Sequence, residues 1–179
     1  MGVDVLTLGR TATEPSFAAV FNEHHRRAVS LAWLLTGDPH QAEDVVSDAM
    51  AKVYVQWRRK PIDDIGAYIR RAVANQANSL LRRRYLERRE ANRRTGDARG
   101  VRLVDEHTAE HDAMWQAIQS LPTRQRQVVV LRYYEDLSEA ETADLLGISR
   151  GTVKSSLSRG LSRLEELLED DHTTPGGDR

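Results

Sequence analysis

The chain has 179 residues, 40% hydrophobic and 30% charged, with 26 basic against 27 acidic side chains and no cysteine. That length is enough for two small cores, the charge content excludes a membrane-embedded protein, and the missing cysteines exclude disulfides and thiolate metal centres. No basic segment followed by an apolar one opens the chain, so no secretory signal is read and a cytoplasmic location is expected.

Residues 1–14 are expected to be a flexible N-terminus. Phe17, Val20, Phe21, Ala28, Leu31, Ala32 and Leu35 then recur at helical spacing until Thr36-Gly37-Asp38-Pro39 stops them. A second helix shows Val46, Met50, Val53 and Trp57 on one stripe, broadened by Val45, Ala49 and Tyr54, and ends before Pro61. A third begins near Ile65 with Ile69, Val73, Ala77 and Leu80 as its core face. Together these predict an N-terminal helical domain over 15–86. From Arg82 the apolar period vanishes, and Arg82 to Arg94 holds seven arginines and two glutamates, a net charge of +5. Such composition predicts a flexible linker over 87–108.

A helical pattern resumes near Asp112 with Met114, Trp115, Ile118 and Leu121, followed by the apolar run Val128 to Tyr134. Ser138 and Glu141 form an S-x-x-E capping box, which predicts a short helix from about Glu139 to Leu146. Gly147 suits the left-handed turn that ends it, and the Ser149 hydroxyl suits the cap of the next helix. There Val153, Leu157, Leu161, Leu164 and Leu168 share one face, with Gly151, Ser155, Ser158 and Ser162 opposite. This second domain is expected over 109–169, with a flexible tail over 170–179. No alternating strand pattern or internal repeat stands out, so the fold class is all-α: two small helical domains joined by a flexible linker.

The charges are sorted along the chain. Gly147 to Arg163 holds four basic residues and no acid, whereas Glu135 to Leu145 holds five acids and no base. A net charge of −1 argues against a nucleic-acid partner, but this distribution overrules the total. Two helices around a glycine turn, the second with a small-residue outer face flanked by Lys154, Arg159 and Arg163, read as a helix-turn-helix for the DNA major groove. On the second helix of the chain Glu43, Asp44 and Asp48 sit beside an aliphatic stripe, a surface suited to a basic partner helix. On the third, Arg71, Asn75, Asn78 and Arg82 lie opposite Ile69, Val73 and Leu80. Amides and guanidinium groups so placed can bind exposed base edges and phosphates of a separated strand. Trp33 and Trp57 neighbour apolar stripes and are expected in the packing, not as base-stacking platforms. His24 and His25 are adjacent, so they point about 100° apart on a helix and cannot share one ion from a single face. With no phosphate loop and no nucleophile elbow, no catalytic residue, metal or cofactor is expected.

With both halves in view the chain resembles a bacterial sigma factor of the extracytoplasmic-function class, in the sigma-70 family, over roughly Phe17 to Leu168. Leu35-Thr36-Gly37-Asp38, Ala42 to Met50, Val53-Tyr54, Trp57, Ala67 to Arg71 and Asn75 carry the resemblance in the first half. Leu121-Pro122, Gln125-Arg126, the capped Ser138 helix and Gly151 to Ser155 carry it in the second. The resemblance implies region two in the first domain and region four in the second. It implies docking on core RNA polymerase through Asp44, Val45, Asp48 and Met50, and capture of the promoter minus-ten element by Arg71, Asn75, Asn78 and Arg82. Reading of the minus-thirty-five element falls to Lys154, Ser155, Ser158 and Arg159. Family members usually carry glutamine at Ser47, an aromatic at Met50 and commonly arginine at Lys154. They thread the connector through the polymerase, and many are held inactive by an anti-sigma protein. The competing reading is a stand-alone helix-turn-helix regulator, which explains the second half and leaves the acidic helix and the Arg71/Asn75 stripe without a role.

Overall fold

The structure, a computed structural model, describes the backbone of residues 16–95 and 109–172 and the side chains of 16–90 and 113–169. The expected N-terminal stretch 1–14, the later part of the linker and the end of the tail lie outside the described residues. Helix α1 spans Phe17–Thr36, α2 Pro39–Arg59, α3 Ile65–Thr95, α4 Ala109–Ser120, α5 Thr123–Val129, α6 Glu139–Leu146 and α7 Arg150–His172.

Each of the first three helices starts on a polar cap. The Ala19 amide donates to Ser16 Oγ at 3.2 Å, the Gln41 amide to Asp38 Oδ1 at 3.1 Å, and the Ala67 amide to Asp64 Oδ1 at 2.8 Å. Partial burial works to raise the Asp38 carboxyl pKa, but the hydrogen bonds from Gln41 and His40 outweigh it and hold the group below its ordinary value. Helix α1 ends where Gly37, at φ 76°, turns left-handed and donates its amide to Trp33 O at 2.8 Å. The three helices bury Leu31, Leu35, Val46, Val53, Ile69 and Val73 between them.

In the second lobe α7 lies across α4, α5 and α6. Of the row that the periodicity predicts, Val153 and Leu164 are buried and Leu157 and Leu168 pack against the core, Ser156 and Gly160 are buried beside them, and Leu161 departs from the row at 37% exposed. The physical reason is Gly160. A Cβ there would stand 2.8 Å from Val129 Cγ2, so the bare glycine lets the α7 axis come down on α5 and rotates Leu161 to the rim. Met114, expected inside, is also exposed, while Ala117 of its helix and Leu121 just after it are buried.

Two further features were not legible in the pattern. After α5 the chain widens into a π-helical turn over Val130–Tyr134, closed by the Glu135 amide on Val130 O at 3.2 Å. And α3 continues to Thr95, well past the point where its apolar period stops. Arginine, leucine, glutamate and alanine are strong helix formers, so loss of the buried stripe removes packing without removing helical propensity.

One buried cluster spans both lobes, beside a smaller one of Ala117, Leu121, Val129 and Leu164 within the second. Val128, Val130, Leu131, Ala143, Leu146 and Val153 from the second belong to one buried cluster with Leu31, Val46 and Val73 of the first. Trp33 of α1 meets Trp115 of α4 with ring centroids 3.7 Å apart, and Trp57 packs near Phe17 at 5.6 Å. Both rings serve packing, as their neighbours in sequence suggest. Among the described residues no helix is long and apolar enough to cross a membrane.

Candidate nucleic-acid interface

The helix-turn-helix is built from local chemistry. Ser138 Oγ accepts the Glu141 amide at 3.2 Å while Glu141 Oε2 accepts the Ser138 amide at 3.0 Å, which completes the capping box. Those bonds from the Ser138 amide and hydroxyl hold the Glu141 carboxyl below its ordinary pKa, with Arg71 adding to the effect. Gly147, at φ 63°, supplies the left-handed residue between the helices, and the Ile148 amide donates to Ala143 O at 3.0 Å. Ser149 then caps α7 by accepting the Thr152 amide at 3.1 Å. Val153 is fully buried and fixes the rotation of α7. That rotation leaves Lys154, Ser155, Ser158 and Arg159 exposed together.

These four side chains are not equally available. Lys154 Nζ lies 3.7 Å from Glu139 Oε2, and Ser155 Oγ donates to Thr152 O at 3.2 Å. Arg159 has no hydrogen bond or ion pair with any described residue. A guanidinium so presented can make the bidentate contact with guanine O6 and N7 that a lysine cannot.

In the first lobe the α3 stripe is real but partly engaged by the second lobe. Asn75 and Arg82 are exposed. Asn78 donates through Nδ2 to Leu145 O at 3.1 Å and accepts Gln127 Nε2 at its Oδ1 at 3.2 Å, so both ends of its amide face the second lobe. Arg71 pairs with Glu141 of the capping box. The preceding residue, Arg70, meets Glu135 Oε2 through its Nε at 2.9 Å, where the Glu135 side chain is only 2% exposed. Burial raises the Glu135 pKa, and the neighbouring Arg70 and Arg27 cations pull it partly back. Sequence reasoning missed Gln127, Arg70 and Glu135. The one available signal was Gln127, a polar residue leading directly into the apolar run Val128 to Leu131.

On α2 the acidic surface splits in two. Asp44 and Asp48 are exposed beside a groove of about 450 Å³ between α2 and α3, also lined by Gln41, Ser47, Gln76 and Arg83. Val45 also lines that groove although it is only 2% exposed, and Met50 is 3% exposed. They fall on the side of α2 that closes the three-helix core. Gln76 of α3, which the sequence did not single out, donates to Asp48 Oδ2 at 2.7 Å and accepts Lys52 Nζ at 2.5 Å. It fixes the direction of the Asp48 carboxylate. His24 and His25 turn to different carboxylates, Glu23 at 3.9 Å and Glu43 at 3.6 Å.

Residues 20–86 match the family model described as Sigma-70 region 2, and residues 111–164 match the one described as Sigma-70, region 4. The chain is 40% identical over 138 residues to the RNA polymerase sigma-E factor of Streptomyces antibioticus, covering 75% of this chain and 74% of that protein. It is 31% identical over 157 residues to the ECF RNA polymerase sigma factor SigM of Mycobacterium tuberculosis, covering 86% of this chain and 77% of that one. In fold it is similar to the sigma factor RpoE of Bartonella quintana, solved in complex with the anti-sigma factor NepR, with a TM-score of 0.61 and 23% identity over 86% of this chain and 96% of that one. The helix-turn-helix, the acidic α2 and the amide stripe of α3 thus occur in the order in which two family regions match, and the chain belongs to the extracytoplasmic-function class of sigma-70 family RNA polymerase sigma factors.

Proposed function

We propose that this sigma factor divides its work between two lobes, residues 15–86 and 109–169, as follows. Asp44 and Asp48 of α2 dock on core polymerase, with Gln76 holding Asp48 in place. Arg71, Asn75, Asn78 and Arg82 of α3 capture the minus-ten element, and Lys154, Ser155, Ser158 and Arg159 of α7 read the minus-thirty-five element. The observation that carries this reading is the presentation of Arg159 with Ser155 and Ser158 on the exposed face of a capped recognition helix. Polymerase supplies the chemistry; this chain supplies position. Opening a base step costs a few kcal/mol, so contacts made only with the separated strand are the ones that favour melting.

Asn78 and Arg71 are occupied by the second lobe, so the lobes have to part before either side chain reaches DNA. A protein that stabilises the closed arrangement, such as an anti-sigma factor, would then keep the minus-ten face covered. The cytoplasm, where polymerase and DNA are met, is the location that fits.

Run-off transcription with core polymerase and a genomic fragment library tests the reading. Initiation is expected at a restricted set of fragments that share two spaced elements. An Asp48→Lys chain should lose roughly ten-fold or more in affinity for core polymerase, and Asn75→Ala should reduce open-complex formation while core binding is retained. Unchanged core binding by Asp48→Lys removes the docking assignment.

A further inference from the structure

Lys154 and Arg159, the two cations assigned above to the minus-thirty-five element, are oriented by different means. Arg159 carries a planar fork of donors that sets its own direction. Lys154 ends in a compact ammonium on a four-carbon stem, with three donors and no preferred direction. A neighbouring helix supplies the direction that the lysine lacks. Lys154 Nζ lies 3.7 Å from Glu139 Oε2, and Glu139 is the first residue of α6.

We propose that Glu139 is a positioning residue for promoter specificity, whose carboxylate keeps the Lys154 ammonium off phosphate and directs it to a neutral base acceptor such as guanine O6 or N7 or thymine O4. The proposal rests on the assignment of α7 to the minus-thirty-five element. In a helix-turn-helix the second helix brings its first turns to base edges while the first helix crosses the backbone. Lys154 belongs to the second turn of α7, so its flexible stem has both the bases and the strand that α6 would cross within reach.

Three observations favour the base. The Lys154 side chain is 69% exposed, and a single carboxylate contact leaves donors of the ammonium open, so Glu139 orients the lysine without consuming it. An anion that approached Lys154 would also approach Glu139, and like charges a few ångströms apart repel, whereas a neutral acceptor meets no such repulsion. The start of α6 also offers a phosphate little in exchange. The capping box of Ser138 and Glu141 already satisfies amides there, and the first turn carries two acids, Glu139 and Glu141. Glu141 is turned to Arg71 of the first lobe, so of these two it is Glu139 that faces the recognition helix. An ion pair this exposed adds little to stability. Its effect falls on where a free charge goes, and a repulsive element that penalises the wrong contact is a means of specificity.

The test uses holoenzyme reconstituted from core polymerase and full-length chain, titrated with two DNAs. One is a promoter recovered by run-off transcription, and the other is the same promoter with its minus-thirty-five element scrambled. Core and minus-ten contacts are common to both, so the ratio of the two affinities reads the α7 contacts. Glu139→Gln is expected to raise affinity for the scrambled DNA three-fold or more beyond any change on the intact promoter, so that the ratio falls by the same factor. On the scrambled DNA its log affinity should fall with log salt about one slope unit more steeply, the mark of one added phosphate contact. Glu139→Asp, which retains the charge, should restore the wild-type ratio. In a Lys154→Gln chain, Glu139→Gln should leave the ratio where it was. Glu165→Gln, the same change of net charge at another exposed position, should match wild type. Equal gains on both DNAs would show a general loss of repulsion and overturn the proposal, as would an effect on the ratio that persists without Lys154. If Lys154→Gln and Arg159→Ala lower the ratio while Glu139→Gln leaves it unchanged, the positioning role alone is wrong. If neither Lys154→Gln nor Arg159→Ala alters the ratio, the minus-thirty-five assignment fails instead.

Discussion

The two helices proposed to face DNA are held in opposite ways. Helix α7 is seated by its own lobe through Val153, Ser156, Gly160 and Leu164, and its outer row faces solvent. Helix α3 presents its stripe next to the other lobe, so Asn78 and Arg71 are spent on Leu145, Gln127 and Glu141. The difference teaches that a recognition surface complete within one lobe is available at once, whereas one placed at a lobe boundary is controlled by the packing of the other. Polar contacts suit such a boundary, because on the proposed reading Asn78 and Arg71 would exchange protein partners for nucleic-acid partners without leaving a buried group unpaired.

The sharpest way to break this contrast is through the shared core. Leu131 is fully buried in the cluster that spans both lobes. Leu131→Ala should cost about 2–5 kcal/mol, and urea unfolding followed by far-UV dichroism should show one shifted transition. Two transitions with only one displaced would mean that the lobes have independent interiors.

Next in size is the seat of α7. Gly160→Ala drives a methyl onto Val129 and should cost about 1–3 kcal/mol by overpacking, offset by roughly 1 kcal/mol of helix propensity. Thermal denaturation reads the sum, and a net gain in melting temperature would show that α7 and α5 are less tightly pressed than 2.8 Å implies. On the exposed face, Arg159→Ala should cost about 1–3 kcal/mol on the preferred minus-thirty-five sequence and less on its variants. Equal losses on every sequence would turn Arg159 into a phosphate contact.

The smaller effects probe the boundary itself. Ser138→Ala removes the cap of α6 and should cost about 1 kcal/mol. The depressed Glu141 carboxyl contributes stability that is present above its unfolded-state pKa and lost as pH falls through the folded value, so the penalty of Ser138→Ala should shrink in acid. Glu135 has the opposite sign. Its raised pKa means its contribution is fully present below the unfolded value and is lost as pH rises through the folded one. Glu135→Gln should therefore gain in melting temperature relative to wild type as pH is raised from acid to neutral. A constant difference across that range would show that Arg70 and Arg27 fully offset the burial of the carboxylate.

Local features of the fold were readable wherever one short segment carries the whole signal. The Ser138 and Glu141 box, the Gly147 turn and the Ser149 cap appear as their residues require, since each is a bond between neighbours three or four positions apart. Helical stripes on α1 and α2 were equally plain. Their consequences for the site were not, because the α2 stripe alone does not tell that buried Val45 also lines the groove beside Asp44 and Asp48. Position on a helix can be counted in sequence, but which side is covered depends on where neighbouring helices lie. Leu161 of α7 shows the same limit. Counting hydrophobic residues could not weigh the absence of a side chain at Gly160 against the presence of one at Leu161.

What the sequence by itself determined is the set of helices, their caps, the sorting of charge and the family to which these patterns belong. All of these follow from chemistry within a few residues or from the order of motifs. The tertiary structure alone decided that one buried cluster spans both lobes, that Asn78 and Arg71 are engaged between them, and that Gln76 braces Asp48. It also showed α3 continuing past its apolar period. Such contacts join residues tens of positions apart, so they arise only when apolar faces close on one another, and no local pattern encodes which polar groups that closure brings together.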